Sequence, residues 1–332
     1  MLHHSEKRAV GTAHSKIILI GEHAVVYGEP AIALPFPTLS ATCIVEHSYG
    51  KILFESEKYT GPLERIPERM KGLALCINET LLELGQKQAN LKITLISNIP
   101  IARGLGSSAA TAMAIVRGLS NYFATPLTKT KLKTLGNIAE KYAHGNPSGI
   151  DMETVFSDVP ILFQKGFMPK PLFIQKPFYL VVADTGEIRN TKLAVASILA
   201  KRKQDPKHIE HSIHLLGLYT RETKDVLMAG DLSRLGELLN LAQIELKNLG
   251  VSDEPIDHLV NVAKNEGALG AKLTGAGRGG CIIALAENGD HASMLCKRLR
   301  EAGATETWFF KVEQDSEQLS CEEWGENIES NR

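Results

Sequence analysis

Residues 99–110, Ile-Pro-Ile-Ala-Arg-Gly-Leu-Gly-Ser-Ser-Ala-Ala, join a strand-like run at Leu91–Ser97 to an apolar helical pattern from Ser107 to Phe123. Few chain geometries accept such a junction. Gly104 and Gly106 permit backbone conformations and close approaches that a Cβ forbids. Ser107 or Ser108 can occupy the cap or the first turn of the helix, whose opening N–H groups have no partner inside it. An anion placed there is stabilised without any side-chain charge, and a first-turn serine hydroxyl can also reach a bound Mg2+ ion. Phosphate is the natural ligand. The segment is no Walker A loop, because no GxxxxGK[ST] occurs. Read alone, it can also be a turn that merely caps a helix.

A second glycine run, Thr274-Gly-Ala-Gly-Arg-Gly-Gly-Cys281, matches GxGxxG through Gly275, Gly277 and Gly280. The segment after it, Cys281–Leu285, reads as a strand, so the dinucleotide-binding context is missing. The run holds more glycine than a hairpin needs. We read it as a backbone wall near a ligand, with Gly277 on the substrate side.

The other elements mix rather than alternate strictly. Strands are expected at Ile17–Ile20, Ala31–Leu34, Leu39–Glu46, Phe178–Ala183, Ala271–Thr274, Cys281–Leu285 and Glu306–Val312, and helices at Glu68–Leu84, Leu127–His144 and His291–Ala302, with further helical patterns up to Glu266. This pattern predicts an α+β fold. A chain of 332 residues fits two domains, and the proline-rich stretch Pro160–Pro177 suggests the change: residues 1–165, residues 166–312, and an acidic, mobile tail at 313–332.

Charge excludes some classes. The net charge of −1 draws the chain neither to nucleic acid nor to an anionic membrane. The opening MLHHSEKRAVGTAHSK has no apolar core for a secretory leader, and no apolar run is long enough to span a bilayer. The five cysteines form no CxxC pair, so reduced thiols in the cytoplasm are expected rather than a zinc site or a disulfide framework. These features suit an enzyme of small molecules.

Phosphoryl transfer needs a carboxylate for Mg2+, a base for the accepting hydroxyl, and a cation. Asp151 follows Asn146-Pro-Ser-Gly-Ile, a turn expected to hold it at a loop tip. Glu140 falls opposite the stripe Leu132, Leu135, Ile138, Ala139 and Tyr142, which by periodicity places it on a solvated face. Lys16 opens the strand Ile17–Ile20, and Glu22 and His23 occupy the turn that follows, at a strand end where ligands are often met. By base rates each is also an ordinary surface residue.

Together, in this order, the segments Lys16–Gly28 (KIILIGEHAVVYG), Gly104–Ala110 (GLGSSAA) and Lys272–Cys281 (KLTGAGRGGC) resemble the three motifs of the GHMP kinase family. The wording GEHAVVYG and the segment Gly145–Asp151 are similar to the family's mevalonate-phosphorylating branch, over roughly residues 10 to 312. The resemblance implies a two-domain α+β fold, an N-terminal domain with a left-handed βαβ crossover and a ferredoxin-like C-terminal domain, with ATP between them. It implies Mg2+ as cofactor, ATP and mevalonate as substrates, and a homodimer. Asp151 and Lys16 are then the catalytic pair. Pro100, Ile101, Ala102, Arg103, Gly104, Leu105, Gly106, Ser107, Ser108, Ala109 and Ala110 wrap the nucleotide phosphates, Ser108 and Glu140 hold the metal, and Glu22 and His23 face the acceptor.

Two stretches depart from the family pattern. His14-Ser15 stands where Pro-Gly is common, and Ile101-Ala102-Arg103 where the second motif usually begins with glycine. Arg278 is expected either to add a phosphate contact or to point to solvent. A sibling kinase acting on phosphomevalonate or homoserine is an alternative, with Arg189 and Lys192 the only suggestive cations for a phosphorylated acceptor. A non-catalytic sensor on the same fold is another.

Overall fold

In the computed structural model, the described residues are 7–86, 90–144, 148–188 and 191–313. Gly145–Pro147 of the aspartate segment, Arg189, Cys321 and all but the first residue of the acidic tail lie outside them, as do the side chains of His144 and Lys192. The first layer comprises β1 (Arg8–Ile20), β2 (Ala31–His47), β3 (Leu53–Ser56), β4 (Tyr59–Pro62), α1 (Lys71–Glu83), β5 (Leu91–Ser97), α2 (Ser107–Phe123), α3 (Lys129–His144), α4 (Ile150–Phe156), β6 (Ile161–Phe163) and β7 (Lys170–Pro171). The second comprises β8 (Phe178–Asp184), α5 (Thr191–Gln204), α6 (Pro206–Ala229), α7 (Leu232–Asn248), α8 (Glu254–Asn265), β9 (Gly270–Thr274), β10 (Cys281–Ala286), α9 (Gly289–Glu301) and β11 (Glu306–Val312).

The first sheet runs β4-β3-β5-β2-β6-β7, with β1 on the other edge of β2. The long β2 absorbs two expected strands: Pro37 falls in the register shift opposite His14 and Ser15, and Pro35 pairs with Lys16 just beside it, where a missing N–H group interrupts the ladder least. A parallel pairing joins β3 to β5 across α1. The second sheet has the order β11-β8-β10-β9 and is wholly antiparallel. With helices after its first and third strands, that is the split βαβ arrangement of a ferredoxin-like domain.

The first sheet extends to Pro171, since β6 pairs with β7. The change of sheet therefore falls between Pro171 and Phe178 rather than at residue 165. Cys43, Cys76, Cys281 and Cys296 are buried thiols, and burial pushes those of Cys43 and Cys76 up to about 12. No helix among the described residues is long and apolar enough to cross a membrane.

Candidate active site

The site forms where the starts of α2 and α4 pack on β1. Helix α2 begins at Ser107 behind a left-handed Gly106 (φ 75°) and has no side-chain cap, which leaves its first N–H groups directed outward. Ser107 and Ser108 are first-turn residues, not caps. Two bonds fix the loop on β1: the Ser15 hydroxyl and the Lys16 N–H both donate to Leu105 O, at 2.6 and 3.1 Å. The Lys16 stem then lies against Gly106, where a Cβ would stand 2.7 Å from Lys16 Cγ. Only glycine suits both that backbone angle and that spacing.

Lys16 is 1% exposed, and its Nζ lies 2.7 Å from Asp151 Oδ1. Asp151 is not at a loop tip. It sits in the first turn of α4, after a left-handed Gly149. There the helix N-terminus favours its negative charge. Helix α4 is held from both sides. Lys133 of α3 meets Glu153 at 2.5 Å, and His14 Nε2 donates to Ser157 O at 3.0 Å. The unusual pair His14-Ser15 thus fastens both the loop and the aspartate helix to β1.

Glu140 is 3% exposed, contrary to the solvated face expected from periodicity. Helix α3 packs on α1, α2 and α4 at once. Gly136, one turn before Glu140 on the same face, lies against Met152 of α4. Tyr142, placed in the core stripe by sequence, is 43% exposed instead and donates to Glu68. Among the described residues no three His, Cys, Asp or Glu side chains gather into a metal cage.

The glycine run Thr274–Cys281 closes the site from the second sheet. Thr274 Oγ1 donates to Ile18 O at 2.9 Å and accepts from Ile18 N at 3.2 Å. His23 Nε2 donates to Ala276 O at 2.9 Å. Gly277 has φ 67°, and a Cβ there would meet Val251 O at 2.2 Å.

Two profiles match this chain: the N-terminal domain of the GHMP kinases over residues 70–157 and their C-terminal domain over residues 223–305. A mevalonate kinase from Pyrococcus furiosus is 32% identical over 324 residues, covering 90% of this chain and 94% of its own. The chain belongs to the GHMP kinase family. Among solved GHMP kinases, L. major mevalonate kinase in complex with R-mevalonate superposes with a TM-score of 0.81 at 26% identity, covering 94% of this chain and 98% of that one. The mevalonate kinase of methicillin-resistant Staphylococcus aureus is 36% identical, with a TM-score of 0.71 and coverage of 92% and 99%.

Within this GHMP kinase, the Glu22 side chain has no exposure at all and is ion-paired with Lys272, itself fully buried. It therefore reaches from the turn after β1 to the second sheet. Lys272 also donates to Leu273 O at 2.6 Å. Burial pushes the Glu22 carboxyl up, opposed first by Lys272 and more weakly by Lys16. Burial likewise pushes the Lys272 ammonium down, opposed by Glu22. Sequence reading missed Lys272, although a lysine inside the all-buried strand β9 is a signal that a partner exists. Arg278 lies at the exposed surface. Its guanidinium donates to Gly250 O and Ser197 Oγ, at 3.2 and 3.0 Å.

Proposed function

We infer that this kinase transfers the γ-phosphoryl group of ATP to the 5-hydroxyl of (R)-mevalonate, giving 5-phosphomevalonate and ADP on the mevalonate route to isoprenoids. The observation that carries the reading is the Lys16–Asp151 contact at 2.7 Å beside the uncapped start of α2. The identity and names of the relatives support mevalonate as acceptor.

The roles are those the family resemblance implies, and the geometry supports them. The loop Pro100–Ala110 wraps the phosphates, which the unpaired backbone N–H groups at the start of α2 receive. Asp151 accepts the proton of the attacking hydroxyl as its oxygen bonds to the γ-phosphorus and the bond to the ADP oxygen breaks. Lys16, held by Asp151 and shielded from water, stabilises the charge that develops on the oxygens. His23, 8% exposed and with Nε2 bonded to Ala276 O, is assigned to the acceptor side by the family resemblance.

The donor set fits Mg2+. Ser108 in a first helical turn and the buried carboxylate of Glu140 are hard oxygen donors, and this ion takes one or two protein oxygens beside substrate phosphates. Bound there, it neutralises charge on the β- and γ-phosphates. Glu140→Gln is expected to raise the Mg2+ concentration for half-maximal rate by about tenfold or more. A Mg2+ titration superimposable on that of the unmodified protein removes Glu140 from the metal site. A homodimer, carried by family resemblance alone, and a cytoplasmic location, carried by cysteines that form no CxxC pair, belong to the same reading.

The product tests the reaction. Incubation with Mg-ATP and (R)-mevalonate is expected to give a phosphomonoester whose 31P signal is split by one CH2 group, the mark of transfer to C5. A phosphate ester on the tertiary C3 oxygen, with no such splitting, contradicts the assignment.

A further inference from the structure

The phosphate loop is held by more than its own sheet. Arg103 leaves it and crosses to the end of β8, where its Nε donates to Asp184 Oδ2 at 2.9 Å and its Nη2 to Gly186 O at 2.7 Å. The other carboxylate oxygen of Asp184 accepts from Gly186 N at 2.9 Å. Both side chains are largely enclosed, at 16% and 5% exposure. The same turn grips the glycine run Thr274–Cys281. Thr185 N and Oγ1 donate to Gly280 O at 2.9 and 2.8 Å, and Gly280 N donates to Glu187 O at 2.9 Å. One turn, residues 184–187, therefore holds the phosphate loop on one side and the glycine wall on the other.

Three features separate this contact from a general brace. An enclosed ion pair returns little net stability, because desolvation offsets the attraction; what a guanidinium fork on a carboxylate and a carbonyl supplies is fixed geometry. Ala102, the residue before it, is held at φ 59°, a strained angle for a residue with a Cβ. Arg103 Nη1 is enclosed and has no acceptor among the described residues. A buried donor in that state gains from any acceptor brought to the loop. The acceptor side of the site, by contrast, is fixed by bonds that do not pass through Arg103: Lys16 to Asp151, and His23 to Ala276.

We propose that Arg103 is a positioning residue that, clamped to Asp184 and Gly186, docks the phosphate loop on the second sheet and thereby sets affinity for the nucleotide rather than for the acceptor. The proposal deepens the kinase reading above and rests on it.

Calorimetric titration with ADP and Mg2+, without acceptor, tests it on the full chain. Arg103→Met is expected to weaken ADP binding about tenfold to a hundredfold, as loss of a charge-assisted contact does. Asp184→Asn moves it in the same direction, because its amide turns a donor toward Nε. The double variant is expected to bind no more weakly than Arg103→Met, since both changes break one contact. Arg103→Lys recovers only part, because an ammonium cannot fork between carboxylate and carbonyl. The KM for the acceptor is expected to stay within about twofold. Unchanged ADP affinity with a lowered Tm overturns the proposal, and so do strictly additive losses or equal losses for nucleotide and acceptor. Should Arg103→Met not fold, the near-isosteric Asp184→Asn decides by the same measures. ADP binding by the unmodified protein is the separate control: its failure sinks the kinase reading, whereas the ratio of variant to unmodified protein judges the clamp.

Discussion

Asp151→Asn is expected to lower kcat by about 10²- to 10⁴-fold, the range of a positioned general base, while ADP binding stays within about twofold. The expectation rests on geometry: Asp151 touches Lys16 and stands in the first turn of α4, apart from the uncapped start of α2 to which the phosphates are assigned above. Asparagine keeps the volume and the helix contact but cannot take a proton from the accepting hydroxyl. Lys16→Met is expected to act similarly, and Lys16→Met with Asp151→Asn to be no worse than the stronger single change, because the two side chains work as one unit. Strictly multiplicative losses in kcat contradict a joint role. Full activity of Asp151→Asn removes the residue from the chemistry.

Lys272→Met should produce the largest loss of stability, about 3–5 kcal/mol by denaturant unfolding, because it leaves the fully buried Glu22 carboxylate without its partner. Glu22 Oε2 already lacks a hydrogen-bond partner among the described residues, and Lys16 acts on the carboxyl only more weakly than Lys272 does. Glu22→Gln alone strands the ammonium in the same way. Glu22→Gln combined with Lys272→Met is expected to recover most of the loss, since a matched neutral pair carries no buried charge. A single-variant loss below about 1 kcal/mol, the range of an exposed ion pair, contradicts the buried pairing. The pair also ties the turn after β1 to β9, so the surviving activity of the double variant reads how far the two sheets depend on it for alignment.

The three glycine-bearing motifs were legible in sequence because their demands are local. A left-handed angle at Gly106 or a close approach at Gly277 rules out other residues wherever the rest of the chain lies. Elements whose inward residues are small or whose turns are ordinary were not legible. The first half of β1 buries Gly11 and Ala13, so its alternation carries no hydrophobic signal. The β3–β4 hairpin turns at Glu57-Lys58 without a glycine or asparagine to mark it. Helix α4 spans seven residues, too few for a period to show. The face of α3 was misjudged because a single stripe describes a helix packed on one side, whereas α3 is packed on several. The contacts that join the sheets, Lys272 to Glu22 and Arg103 to Asp184, link residues far apart in sequence and leave no local trace.

The central claim is tested most directly by an ADP-release assay with Mg-ATP in which (R)-mevalonate, phosphomevalonate, homoserine and galactose are offered side by side. The account predicts turnover with mevalonate and only background release with the other three. Turnover on a different acceptor, or no turnover on any while ATP still binds, would contradict it, the first pointing to a sibling kinase and the second to a sensor.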